Sequence, residues 1–145
     1  MMIAAIAACG HAPPKVATPA AKTTLVTLPT ESDTFPTIAS ATTAAIGHAK
    51  IAGVDSTVTS KVSIEVVQLS IECVDATAQC YGAAAKSLAA SKLLFAQVDG
   101  DKQHPVVTVT LFDAATNEPK AAKRAFDSEA AAVAGVETLV SEATR

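Results

Sequence analysis

Cys9 has the surroundings in this 145-residue chain that point most directly to a chemical step. It ends the stretch Ile6-Ala7-Ala8-Cys9-Gly10, which closes a short apolar N-terminus and sets small residues on both sides of the thiol. A bacterial lipoprotein signal needs this arrangement. The peptidase accepts small side chains before the cut, and the cysteine sulfur carries a diacylglyceryl group. On this reading residues 1–8 are a signal peptide, residues 9–22 are the lipidated Cys9 and a tether, and residues 23–145 are a periplasmic domain. Met1–Ala8 has no Lys or Arg and only a short apolar run, whereas a signal peptide has a basic start and about 7–15 apolar residues. Either the true start lies upstream, or Cys9 is an ordinary residue of a loose N-terminus. The Pro- and Ala-rich run His11–Lys22 suits a tether and favours the first. Gly10, in place of the Asp that retains lipoproteins at the inner membrane, points to the outer membrane.

Cys73 and Cys80 are then left as a pair. In an oxidising periplasm an even number of cysteines predicts a disulfide, and a closed loop of about eight residues adds about 2.5 kcal/mol by restricting the unfolded chain. Two buried free thiols are the competing reading. Six intervening residues do not make a Cys-x-x-Cys redox motif, and three scattered histidines, His11, His48 and His104, do not complete a zinc site. Asp99-Gly100-Asp101 reads as a hairpin turn, since calcium would need further oxygen ligands. Asp113 reads as a turn cap. No Gly-x-Ser-x-Gly elbow or phosphate-cradling glycine loop is present. We therefore expect no enzyme, no cofactor and no metal. Lys120, Lys123 and Arg124 form a small basic edge, and with the loop Ser32–Pro36 they are the candidate partner-binding residues.

The composition limits the partners. The net charge is −3 and Lys and Arg are not clustered, which argues against nucleic acid. No stretch approaches the ~20 apolar residues of a spanning helix, so lipid on Cys9 is the expected membrane attachment. Of the 145 residues 32 are Ala, with four Phe and one Tyr. About 120 residues remain for one domain whose core is built from small side chains, enough to bury roughly two-thirds of the unfolded surface.

The elements that must position these groups follow from periodicity. Thr23–Leu28 is a β-type run stopped by Pro29. Asp33 or Thr34 can cap a helix with Pro36 in its first turn, Ile38, Ala41, Ala45 and Ile46 on one face, and Gly47 as a stop. Ile51, Val54 and Val58 suggest a second strand. Residues 61–72 fit a strand or a helix. We expect a helix, with Ile64, Val67 and Ile71 inward and Glu65, Gln68 and Glu72 outward. Asp75 or Thr77 caps the next helix, in which Cys80, Ala84 and Leu88 recur. From Lys92 the period becomes two. Asp99–Lys102 turns the chain into Val106–Phe112, with Val107, Val109 and Leu111 inward and Thr108 and Thr110 outward. Thr116–Pro119 turns again into a strand Lys120–Phe126. Ser128 caps a last helix striped with Ala132, Val136, Leu139 and Val140. The predicted order is β-α-β-α-α-β-β-β-α, a single α+β domain with a mixed or antiparallel sheet and helices mainly on one face.

This order and the segment Leu88-Ala89-Ala90-Ser91-Lys92-Leu93-Leu94-Phe95-Ala96-Gln97-Val98, followed by Val107–Asp113, resemble periplasmic lipoprotein domains of the CsgG and TolB N-terminal type. Ala89 and Ala96 stand where that pattern has glycines, and Ser91 where it has Asp. The resemblance implies an interaction or assembly module rather than a catalyst. We expect a lipid-anchored scaffold domain with an envelope protein as partner. The alternative is a subunit of a CsgG-related secretion or assembly complex, although Val106–Phe112 is shorter than the 9–11 residues of a membrane barrel strand.

Overall fold

The computed structural model describes residues 16–145; Cys9, the expected signal peptide and the first part of the tether lie outside the described residues. Residues 16–23 form neither helix nor strand. The elements then run β1 (Thr24–Thr27), α1 (Pro36–His48), β2 (Ser56–Thr59), α2 (Ile64–Ser70), α3 (Ala78–Ser87), β3 (Lys92–Asp101), β4 (His104–Asp113), β5 (Glu118–Ala125) and α4 (Glu129–Thr144). Their type and order are those expected from the sequence, and residues 64–70 of the ambiguous segment are helical. One five-stranded sheet has the order β2-β1-β3-β4-β5. β1 runs parallel to both β2 and β3, and the rest is an antiparallel meander. The fold is a mixed-sheet α+β domain.

One expectation is overturned: the helices do not gather on one face. Leu25, Leu94, Ala96, Val107 and Val109 pack with residues of α1 and α4. Val26, Leu93, Phe95 and Phe112 pack on the opposite face with α2 and α3. The cause is the direction in which the chain moves along the sheet. From β1 it crosses to β2 on one side, then returns past β1 to β3. Parallel crossovers keep one hand, so moves in opposite directions put their helices on opposite faces. The order of elements is the same for either layout, and the sequence does not show which way the chain steps. Consequently Thr110, expected to face solvent, is only 4% exposed beneath the second layer.

Two glycines allow close approaches that shape the meander. The hairpin turn is Lys102-Gln103, three residues beyond the expected start at Asp99, because β3 continues through Asp99 and Gly100 to Asp101. Gly100 has φ +97°, and a Cβ there would lie 2.3 Å from the carbonyl oxygen of His104. Any side chain would meet both a strained dihedral and a clash. Asp101 then receives the N–H groups of Gln103 and His104, each at 2.8 Å, which hold its carboxyl below the usual carboxylate range. Gly135 lies inside α4, where glycine is intrinsically unfavourable. A Cβ there would come within 2.5 Å of the Phe126 ring, which rests on that turn of the helix.

Helix starts follow the expected capping chemistry in two cases. Thr77 Oγ1 accepts from the Cys80 N–H at 3.3 Å, and Ser128 Oγ accepts from the Ala131 N–H at 3.1 Å. At α1 neither Asp33 nor Thr34 serves as cap. Phe35 occupies that position with its side chain buried, Ser32 Oγ accepts its N–H, and Pro36 begins the helix.

At the start of β3 the Lys92 ammonium donates to Asp113 Oδ2 across the hairpin. That contact is the largest cause holding the Asp113 carboxyl below its usual range; burial opposes it, and N–H groups of Ala115 and Thr116 assist. A carboxyl whose folded pKa is depressed adds stability above its unfolded value near pH 4, and that stability is lost as pH falls through the folded value. Asp113→Asn is therefore expected to cost about 1–2 kcal/mol at pH 7 and little below pH 3. Urea denaturation of both proteins across pH 2–7 checks this, and a constant difference between them would refute it.

Candidate functional site

The expected basic edge does not form one surface. Cross-strand partners share a face, so Arg124 opposite Val107 and Lys120 opposite Leu111 lie on the α4 side, whereas Lys123 opposite Thr108 lies on the α2/α3 side. Arg124 pairs with Glu142 of α4 at 2.7 Å, and Lys120 donates to the carbonyl of Arg145. Two of the three cations thus fasten the edge strand to the last helix, and Lys123 stands exposed on the other side. Alternation along a strand separates neighbouring residues, which a basic run in the sequence conceals. The loop Ser32–Pro36 keeps Asp33, Thr34 and Pro36 exposed and is anchored by the buried Phe35.

Cys73 and Cys80 are joined in a disulfide with their Cα atoms 5.3 Å apart. It ties the loop leaving α2 to the first turn of α3, so both ends of the helical corner are fixed.

Among the described residues the titratable groups do not gather into a metal-holding set. His104 is exposed, 3.3 Å from Asp101. His48 and Lys50 lie at the end of α1 in a groove of about 320 Å³ shared with Glu137, Ser141 and Thr144 of α4, but the Thr144 hydroxyl is spent on the Val140 carbonyl. Among the described residues no three His, Cys, Asp or Glu side chains are placed to hold a metal, and no helix is long and apolar enough to cross a membrane.

A different surface emerges on α2, and periodicity had pointed elsewhere. Ile64 and Val67 face the sheet as expected, but Gln68 is buried beside them, its Nε2 donating to the Asp75 carbonyl at 2.9 Å. Glu65 turns along the sheet, where Oε1 accepts from Gln97 Nε2 at 3.1 Å while Oε2 is buried without a partner. On the outer side of α2, Val66 is 41% exposed and Leu69 66%, with Val62 before the helix at 40% and Val74 beyond it at 62%. The three-residue spacing of Val66 and Leu69 carries this signal. Glu65, Gln68 and Glu72, which define the expected outward face, hide it in the sequence. Beneath the apolar residues a groove of about 240 Å³ is lined by Glu65, Gln68, Leu69, Val74 and Gln97. Tyr81 closes the neighbouring core, its hydroxyl pKa raised first by burial and then by the charge of Glu65.

No family model matches the chain, and no curated protein matches it in sequence. Among solved structures it is similar to the LpoB C-terminal domain from Salmonella enterica, at 16% identity and a TM-score of 0.44, over 74% of this chain and 84% of that one.

Proposed function

We propose that this chain is a non-catalytic docking domain, held by lipid on Cys9 at the periplasmic face of the bacterial outer membrane, where it binds an envelope protein. The observation that supports the docking role is the set of exposed apolar residues on and beside α2, Val62, Val66, Leu69 and Val74, since exposed apolar side chains close together in the chain on a small domain mark an interaction site. The Cys73–Cys80 disulfide suits an oxidising compartment. The resemblance to domains of the CsgG and TolB N-terminal type agrees with an assembly role. The alternative, a subunit of an envelope secretion or assembly complex, is favoured by β2: an edge strand exposed at all four positions and carrying no charged residue, it is open to strand addition. A membrane barrel does not follow from β4, because its residues are covered by helices on both sides.

The anchor is tested by expressing the protein from its true start in a Gram-negative host. Wild type is expected to incorporate labelled palmitate and to partition into detergent, because several acyl chains on one cysteine bind a bilayer firmly. Cys9→Ala should lose both properties completely. Equal membrane retention of Cys9→Ala would reject the lipoprotein reading.

A further inference from the structure

We propose that β2 is a self-pairing edge: a second copy of this chain sets its own β2 antiparallel against it, with Val58 on the two-fold axis, and the two five-stranded sheets join into one. The proposal rests on the reading of β2 as an open edge and is independent of the lipid anchor and of the residues around α2.

The two edges of the sheet differ. β5 carries Glu118, Pro119, Lys120, Lys123 and Arg124, and Lys120 and Arg124 are held by the chain end and α4. Charges and proline on an edge discourage strand addition. β2 is Ser-Thr-Val-Thr, β-branched from Thr57 to Thr59 and without charge. The N–H groups of Ser56 and Ser60 donate to the carbonyls of Thr23 and Thr27 on the β1 side. Backbone groups alternate in direction along a strand, so those of Thr57 and Thr59 point away from the sheet.

These outward groups fix the register. In an antiparallel ladder a hydrogen-bonded pair exchanges both of its N–H···O bonds. Thr57 opposite Thr59 of the second copy, repeated by the two-fold axis, uses every outward group. Val58 then meets Val58 of the second copy in a close pair without hydrogen bonds, and each covers the other's side chain, which is 53% exposed in the single chain. The flanks of the strand carry opposite charges, Asp55 before it and Lys61 after it, both exposed. Antiparallel pairing brings the start of one strand beside the end of the other, so each Asp55 comes to a Lys61 and the edge is complementary to itself. A parallel arrangement would set like charges together.

The test uses the full chain with Cys9→Ala and its disulfide intact, so that neither lipid nor a third thiol contributes. Because the contact is short, sedimentation is followed up to about 1 mM chain, where a reversible dimer is expected. Val58→Lys places like charges across the axis and should weaken the dimer at least about tenfold. Lys61→Glu alone and Asp55→Lys alone should each be monomeric, and a mixture of the two should form a heterodimer. Under mild oxidation Val58→Cys should crosslink at a concentration where Ser56→Cys and Leu69→Cys do not, because only position 58 faces its own copy. Val58 and Lys61 are exposed, so variants there leave the fold intact. A dimer unmoved by Val58→Lys, no heterodimer from the two folded charge variants, or equal crosslinking of Leu69→Cys would overturn the proposal. So would a monomer throughout the range. Binding of a capped Val-Thr-Asp-Thr-Val peptide by that monomer would give the edge to a foreign acidic strand, drawn by His48 and Lys50 in the groove they share with Thr57. None of these results would bear on the Cys9 anchor or on α2.

Discussion

Val109→Asp is expected to destabilise the domain by at least about 4 kcal/mol at pH 7, a large share of the roughly 5–15 kcal/mol that holds a small domain folded. Val109 is fully buried in the middle of β4, between β3 and β5 and beneath α1 and α4. A carboxylate there has no partner, so it must take up a proton. Binding that proton at pH 7 by a group that ordinarily titrates near 4 costs about 1.4 kcal/mol per unit, before the lost valine packing is counted. The sign with pH is fixed. The folded pKa is raised, so the penalty is smallest below pH 4 and grows as pH rises. Denaturation midpoints at pH 4 and pH 7 measure this directly. A penalty that did not change between them would mean that the carboxylate reaches water or a cation.

Thr110→Asp separates the two layouts of the helices. If the helices covered one face, this change would cost less than about 1 kcal/mol, as surface substitutions do. With α2 and α3 on the second face it should cost more. It should still cost less than Val109→Asp, because Thr110 pairs with Ala121, and Lys123 is its diagonal neighbour on the same face. The order expected is therefore wild type, then Thr110→Asp, then Val109→Asp. Tolerance of Thr110→Asp would return the fold to a single helical layer.

What the sequence could reveal divides along the range of the interactions. Period-two alternation located β3 and β4, and the caps Thr77 and Ser128 located two helix starts, because each depends on residues within one turn or one hairpin. The cysteine pair was legible from count and compartment. The second layer was not, because strand order and crossover direction are decided by contacts far apart in the chain. The same blindness produced the basic edge: Lys120, Lys123 and Arg124 are adjacent in sequence, yet the pleat and α4 divide them. By helical periodicity Glu65 falls on the outward face of α2. Only the approach of Gln97, 32 residues further along the chain, reveals its second oxygen as unpartnered.

Phe95→Ala is expected to cost about 3–5 kcal/mol, because it empties the centre of the layer formed by α2 and α3. Phe95 is fully buried on the central strand, its ring 5.0 Å from that of Tyr81 and tilted by 56°. Tilted aromatic pairs couple beyond the area they bury, so Phe95→Ala and Tyr81→Ala together should cost less than the sum of the two by about 0.5–1.5 kcal/mol. Leu139→Ala offers the contrast. Leu139 is also fully buried, but it lies on α4 in the opposite layer, with the sheet between it and Phe95. Residues with no shared partner add, so Phe95→Ala with Leu139→Ala should match the sum to within about 0.5 kcal/mol. Urea titrations of the three single and two double variants measure both cycles. Because the singles are large, the work should be done at low temperature or in a stabilising osmolyte, where the doubles still fold. Strong coupling between Phe95 and Leu139 would mean that the two cores behave as one, and the sheet would then not be the partition that separates them.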